Sequence, residues 1–544
     1  MHLKDCDLVM KGGIASGTVY PKVITELAQD YRFVNIGGTS AGAIAAGLAA
    51  AAEYQRRQGS NAGFVLLDQL SDEIGHCLLS LFQPTAIHKK LFHAIVGLMK
   101  QKKKPLIRFF LFNLFRIVKS FKALPNTYFG ICTGMTVGTN SEPGLTDWLN
   151  NWLEKSAGRL QADGSLPETP LTFGLLKREG ITLRTISTNL SEQLPVNLPN
   201  MKFALAKKQD LDALLPENVV AYIGSQQELL QASLENKDIG DEFWIIPTED
   251  DMPVLLAIRL SLSVPVLLSS FPLYRYDWSL RLNSEQQKIP QVCWFSDGGI
   301  SINFPIHLFD HIFPSRPTFG ISLDKFDPCR HEPDSDNGDN TNRIYLPTSA
   351  RQGMTVPIRA IKNWFEFLTS TFSVAQNWQD NAQMVLPGYR ERIVRVALKP
   401  EEGGFNLTMT APQIKKLTTI GADAGKEICT KFNFDEHRWR RLLSAYAAIE
   451  DMLEELATEY YNSDPESMNE FLTRYRETYQ AGTPIANSYK PEKINEFDEL
   501  ESRIDSLMTL AKVMMQKPIR DKWGAGKMPR PAANLKLTPE RFAK

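Results

Sequence analysis

Short apolar runs and 3-4-spaced apolar residues alternate along most of this chain, and each pattern predicts a different element. Leu8-Val9-Met10 predicts a buried strand, and Val19, Val23 and Leu27 share one face of a helix over 19–31. Phe33, Val34 and Ile36 predict a second buried strand, followed at once by an Ala-rich helix from Ala41 to Tyr54. Loop and helix are expected around Trp148 and Trp152, and Ile181–Leu190 alternates as a strand does. Residues 191–250 read as mixed loops and short elements without an assignable register. Pro253 suits the first turn of a helix that runs to Ser263 and is stopped by Pro265. Further strands are expected at Val292–Phe295, Thr318–Leu323 and Arg392–Leu398, a helix at Trp364–Trp378, and a polar loop over 330–343. Past Asp435 the pattern is purely helical. Phe497, Leu500, Ile504, Leu507, Ala511 and Met514 follow 3-4 spacing over too few heptads for a coiled coil, and a basic, Pro-containing tail begins at Lys517. Strands alternating with helices predict an α/β fold, a mainly parallel sheet flanked by helices, with a helical C-terminal extension.

Composition narrows this only slightly. The 544 residues suffice for one large core or several smaller ones, and 43% hydrophobic with 23% charged is ordinary for a globular protein. A formal net charge of -1 argues against general nucleic-acid binding. The six cysteines (Cys6, Cys77, Cys132, Cys293, Cys329, Cys429) form no C-x-x-C pair, so buried thiols in a reducing, cytoplasmic setting are expected in place of disulfides or a zinc site. Met1 to Asp7 does not read as a signal peptide, and no 18-residue uncharged apolar stretch exists to span a bilayer.

Residues 89–122 depart from that average. They hold Lys89, Lys90, Lys100, Lys102, Lys103, Lys104, Arg108, Arg116, Lys119 and Lys122 without one acid, interleaved with the apolar, aromatic run Leu106–Phe115. Such a segment suits the headgroup layer of an anionic membrane. A helix pair packed on the domain with a solvated basic face is the other reading. RNA is disfavoured, because no stacking module accompanies the aromatic residues.

Between the strand at 33–36 and the Ala-rich helix stands Gly38-Thr-Ser40-Ala-Gly42, a G-x-S-x-G match. A nucleophile elbow turns from strand to helix in a few residues, which places the serine in a strained conformation and leaves no room for a Cβ on either flank. Upstream, Lys11–Gly17 is a glycine loop after a strand. It lacks the third glycine of a dinucleotide fingerprint, since Ile14 occupies that position. Exposed amides before a helix suit an oxyanion hole, and a plain β-to-α turn is the alternative. Downstream, Asp297-Gly298-Gly299 ends the strand at 292–295, where open α/β sheets carry their chemistry. Only eight histidines exist; His307 and His311 follow the aspartate, on a run that reads as a helix start. With no histidine at a loop-after-strand position, Asp297 itself must serve as the base for Ser40, which requires a shielded setting.

Four segments in this order resemble the patatin-like phospholipases: Gly12–Pro21 (GGIASGTVYP), Gly38–Gly42 (GTSAG), Ala257–Pro265 (AIRLSLSVP) and Asp297–Ile306 (DGGISINFPI). The last is the most specific, through Asn303 and Pro305 after Asp-Gly-Gly. The resemblance covers 5–325 and leaves out the basic insert and the C-terminal helices. It implies a three-layer sandwich, Ser40 as nucleophile and Asp297 as base. It also implies Gly12, Gly13 and the Ile14 amide around an oxyanion hole, with Gly38, Gly42, Gly298 and Gly299 supporting the turns. The family loop usually reads G-G-G-x-[RK]-G; Ile14 and Ser16 depart from it, which bears on rate and substrate fit more than on reaction type.

The expected activity is hydrolysis of a fatty acyl ester of a phospholipid or lysophospholipid, without metal or cofactor. Rivals are an esterase, thioesterase or acyltransferase on a soluble acyl donor, and a catalytically silent membrane-binding protein. The expected organisation is a catalytic domain over 5–325, its completion over 326–434, and a helical region over 435–544. The expected partners are an acyl lipid and an anionic membrane surface reached by 89–122, with peripheral membrane contact from the cytoplasm as an open option. Oligomeric state is not legible.

Overall fold

The apolar runs line up side by side in the computed structural model, which describes residues 3–13, 15–100, 122–138, 142–232, 239–280, 289–328, 331, 341–348, 358, 360–386, 388–399, 401–403, 406–462, 466–483 and 491–516. The strands are β1 (Lys4–Met10), β2 (Tyr31–Thr39), β3 (Gly130–Cys132), β4 (Thr182–Asn189), β5 (Leu194–Leu198), β6 (Leu205–Lys207), β7 (Phe243–Ile245), β8 (Val266–Leu268), β9 (Phe271–Arg275), β10 (Gln291–Asp297), β11 (Thr318–Lys325), β12 (Ile344–Tyr345) and β13 (Ile393–Leu398). Eleven of them form one mixed sheet, while β3 and β8 pair apart from it. β13, β11, β1, β2 and β4 run parallel in that order. The remaining pairings of this sheet are antiparallel: β12 on β13, β5 and β10 on β4, then β9, β6 and β7 beyond β10.

The register of β4 decides where chain ends meet. Thr185 and Ile186 pair with both β2 and β5, so those two strands lie on opposite sides of β4. Ser187 to Asn189 pair with both β5 and β10, which puts β10 on the same side as β2. Since Thr39 pairs with Ile186 and Asp297 with Ser187, β2 and β10 approach along one edge from opposite directions. Their carboxyl ends meet nose to nose.

Around the sheet lie α1 (Tyr20–Asp30), α2 (Ala41–Arg57), α3 (Ala62–Cys77), α4 (Lys89–Lys100), α5 (Leu145–Ser156), α6 (Val254–Ser261), α7 (Trp364–Met384) and α8 (Ala411–Lys431). Val23 and Leu27 bury the predicted face of α1, while Ala15–Val19 is a separate 3-10 turn and Tyr31 already belongs to β2. α2 is buried almost along its whole length because its alanines let neighbours approach on every side. After β10, residues 306–309 form turns and not the helix start expected there. This stretch lays Phe304 and Ile306 against Gly320 of β11, and Leu308 and Phe309 against Gly37 of β2. The region 191–250, left without register by the sequence, supplies β5, β6 and β7. Cys6, Cys132 and Cys293 are buried free thiols.

By its contacts the chain divides into two units: Met1–Asp310, Ser315–Val385 and Arg390–Phe432 make the first, and His311–Pro314, Leu386–Tyr389 and Asn433–Lys544 the second. The second contains α9 (Phe434–Tyr461), α10 (Met468–Gln480) and α11 (Ile494–Gln516). Leu453, Ala457 and Tyr460 of α9 pack with Met508 and Ala511 of α11, and the Tyr460 hydroxyl donates to Asp505 at 2.9 Å. The buried face of α11 is Phe497, Met508 and Ala511, whereas Leu500 and Leu507, expected on that face, point outward. The 3-4 spacing is therefore real, but Met508 takes the contact that Leu507 was expected to make.

Candidate active site

Ser40 connects β2 to α2 with φ 56° and ψ −127°. A side chain costs energy in that region, so the surroundings must hold it there. One holder is Ser261 at the end of α6: its hydroxyl accepts the Ser40 amide at 3.0 Å and donates to the Ile186 carbonyl of β4 at 2.5 Å. The flanking glycines allow the turn to close. A Cβ on Gly38 would stand 2.1 Å from the Gly42 carbonyl oxygen, and one on Gly42 would stand 2.4 Å from that of Met10. Neither contact is physically possible, so both positions need hydrogen in place of a side chain.

Asp297 closes β10 directly opposite. Its amide donates to the Ser263 carbonyl at 2.9 Å, and its carbonyl accepts the Thr188 hydroxyl at 2.9 Å. Oδ1 accepts the Gly299 amide at 2.8 Å. Oδ2 is sealed from solvent, with no donor in hydrogen-bonding geometry among the described residues. Burial pushes the carboxyl up to about 6, against the pull of the Ser40 hydroxyl and then of the Gly299 amide. A carboxylate of that basicity, shielded from water and beside a hydroxyl, is chemically suited to take a proton from it. Gly298 has no space for a Cβ either, since one would lie 1.9 Å from the Ile186 carbonyl oxygen; at Gly299 the nearest atoms, of Asn303 and Asp297, would be 2.8 Å away.

The glycine loop runs past the same point, and a Cβ built on Gly12 would lie 3.2 Å from that of Ser40. Its amide, however, donates to the Asn303 carbonyl at 2.9 Å. Gly12 therefore pins the loop to the Asp297 turn and does not offer the oxyanion donor expected of it. The Gly13 amide has no acceptor among the described residues, and Ile14 lies outside them. The Lys11 carbonyl accepts the Tyr20 hydroxyl.

Sequence reasoning missed the bracing behind the pair. Arg259 is buried with no carboxylate partner among the described residues; its guanidinium donates to the Thr133 and Ser269 carbonyls at 2.9 Å each and to the Ser263 hydroxyl at 2.7 Å. Burial lowers its pKa to about 10, so it stays charged. The Ser263 carbonyl in turn accepts the Asp297 amide and the Ser296 hydroxyl. Ser261, Ser263 and Arg259 all lie in the quoted segment Ala257–Pro265, where serines at alternate positions of an otherwise apolar run were the available signal.

Beside Ser40 an apolar pocket opens between Ala41, Ile44 and Leu48 of α2, Leu70 of α3, Trp148 of α5 and Leu262. Its cavity volume is about 70 Å³. In the basic segment, Leu91, Phe92 and Val96 of α4 are buried while Lys89, Lys90 and His93 face outward. Residues 101–121, with the aromatic run, lie outside the described residues.

The patatin-like phospholipase family model matches residues 8–310. A protein of Rhizobium meliloti (strain 1021) described as "RpoH suppressor" is 32% identical over 561 residues, covering 81% of this chain and 85% of that one. Among solved structures, VipD from Legionella pneumophila aligns over 97% of this chain and 89% of its own, at 13% identity and a TM-score of 0.32. ExoU of Pseudomonas aeruginosa, solved in complex with SpcU, aligns over 93% of this chain and 68% of its own, at 15% identity and a TM-score of 0.27.

Proposed function

The chain belongs to the patatin-like phospholipase family, and from that premise we propose that it is a serine hydrolase of fatty acyl esters of phospholipids or lysophospholipids. Family membership supports lipid hydrolysis; the observation that carries the finer reading is the Ser40–Asp297 pair standing beside an apolar pocket. In this reading the Ser40 hydroxyl attacks the ester carbonyl while Asp297 Oδ2 takes its proton. The oxyanion is held by the Gly13 amide and the amide that follows it. Asp297 returns the proton to the departing alcohol, and water then releases the fatty acid by the same route. The acyl chain occupies the pocket along α2, whose lining has no charged group to repel it. Gly38, Gly42, Gly298 and Gly299 keep both turns closed. No step requires a metal or cofactor.

Catalysis is assigned to residues 5–325, completed by 326–434, with 435–544 as a separate helical region. No helix among the described residues is long and apolar enough to cross a membrane. Access to lipid is assigned to peripheral docking through the basic segment 89–122 on an anionic surface, from the cytoplasm. Fatty-acid release should be measured from phospholipid, lysophospholipid and triglyceride vesicles by the wild type and Ser40→Ala. Loss in the variant supports the reading; turnover only of soluble esters or thioesters points to a soluble acyl donor, and equal traces in both proteins to a silent scaffold. Reversing Lys102, Lys103 and Lys104 to Glu should weaken vesicle binding at least about tenfold at low salt. Binding indifferent to salt and to this reversal removes the basic segment from the proposal.

A further inference from the structure

Helix α7 is amphipathic with its faces reversed. Its polar side turns inward: Gln376 donates to the Gly299 carbonyl at 2.6 Å, Asn377 accepts from Asn303 at 3.4 Å, and Asp380 and Gln383 are buried. Opposite, Trp364, Phe367, Leu368, Val374 and Trp378 stand 71%, 50%, 39%, 63% and 61% exposed. At 3.6 residues per turn these five fall within an arc of roughly 120° and form one outward row. The Trp364 and Phe367 rings stack at 5.6 Å, extending the row into a flat aromatic end. An exposed row of this kind, attached by its other side to the turn that bears Asp297, is not a feature that core packing explains.

We propose that α7 is the element by which this protein inserts into a lipid surface, lying in the headgroup layer with Trp364, Phe367, Val374 and Trp378 in the acyl boundary. This rests on the acyl-hydrolase reading. Tryptophan and phenylalanine on one face of a surface helix suit that layer. The charges agree with an anionic surface: in sequence, 351–362 holds Arg351, Arg359 and Lys362 and no acid. The acids of α7 stay off the row, because Glu366 caps the helix start, its side chain accepting the Lys362 amide at 2.7 Å, and Asp380 is buried on the inner side. A lipid surface is also the partner that the site's position calls for. Gln376 binds the carbonyl two residues from the catalytic aspartate, so insertion of α7 would bring the Ser40–Asp297 turn to the layer from which an acyl lipid arrives. The basic segment 89–122 would supply attraction at long range, and α7 the apolar hold.

The experiment uses the full chain in a Ser40→Ala background, which removes turnover, with vesicles of phosphatidylcholine and phosphatidylglycerol. Trp364→Ala with Trp378→Ala, and separately Val374→Glu, should lower vesicle partition at least about tenfold while leaving the melting temperature unchanged. Brominated acyl chains should quench tryptophan emission of the parent and lose that effect with the double variant. Unchanged partition in both variants, with folding intact, overturns the proposal. So does a parent that is dimeric in solution and becomes monomeric in the variants, which would assign the row to a second copy of the chain. The premise is tested apart: wild-type hydrolysis of a soluble short-chain ester no faster than that of Ser40→Ala defeats the acyl-hydrolase reading whatever the vesicles show.

Discussion

The parallel half of the sheet and the antiparallel half make opposite contributions to one site. β1 and β2 bring the glycine loop and Ser40 to their carboxyl ends, as parallel strands with following helices do. β10 brings Asp297 from the other direction, and only its antiparallel pairing to β4 lets its carboxyl end face that of β2. Ser40 thus depends on a strained turn, and Asp297 on a register. What joins them is Ser261 on one side and the Arg259–Ser263 bracket on the other.

Removing either chemical group should break the comparison most severely. Ser40→Ala and Asp297→Asn are each expected to lower kcat on the order of 10⁴-fold or more, with the double variant no worse than either single one. Near-normal turnover by Asp297→Asn, together with loss in a histidine variant, would show that the antiparallel half holds no base. Next come the joints. Ser261→Ala frees the Ser40 amide, and Arg259→Met takes away the donor that holds the Ser263 hydroxyl; each should lower kcat roughly 10²-fold with KM little changed. A rise in KM alone would mean that these residues shape the pocket and not the pair.

The pH profile sharpens the same contrast. The proposed mechanism needs Asp297 ionised, so kcat should rise with an apparent pKa of about 6 and stand roughly tenfold below its plateau at pH 5. Stability should run the other way. Because the folded state holds this proton more tightly than the unfolded chain, stability falls as pH rises from about 4 through about 6. Asp297→Asn escapes that loss, so its melting temperature should exceed the wild type's at pH 7 and approach it at pH 4; the limit of the effect is about 3 kcal/mol. The smallest effect is expected at Ile14. If amides alone hold the oxyanion, Ile14→Gly changes turnover by no more than about threefold, and a collapse with the fold intact would give the side chain a part in the acyl pocket.

The parallel half was the legible one. β1 and β2 announce themselves by short apolar runs and β4 by alternation, and the turns after β2 and β10 carry glycines at positions where no other residue fits. The antiparallel half left weaker marks. β6 and β7 have three residues each, too short for alternation to stand out, and the pairing of β10 with β4 has no signature in either strand. Asp297 was found through Asp-Gly-Gly and a resemblance, not through its register. Ser261 and Arg259 were quoted but given no task, because an acceptor on a distant strand leaves no trace beside a residue in sequence. His307 looked like the start of a helix because apolar residues surround it, yet those residues cover the sheet as a run of turns.

The elbow also separates the durability of the scaffold from that of the reaction. A left-handed backbone at position 40 is easy for glycine and hard for any residue with a Cβ. Ser40→Gly should therefore fold at least as stably as Ser40→Ala, and more stably where the surrounding turn is unchanged. Among the described residues, none of β2 or α2 hydrogen-bonds to the Ser40 hydroxyl. A lineage relieved of the need for ester hydrolysis could lose it in one step and keep every other surface of the molecule, the outward row of α7 included.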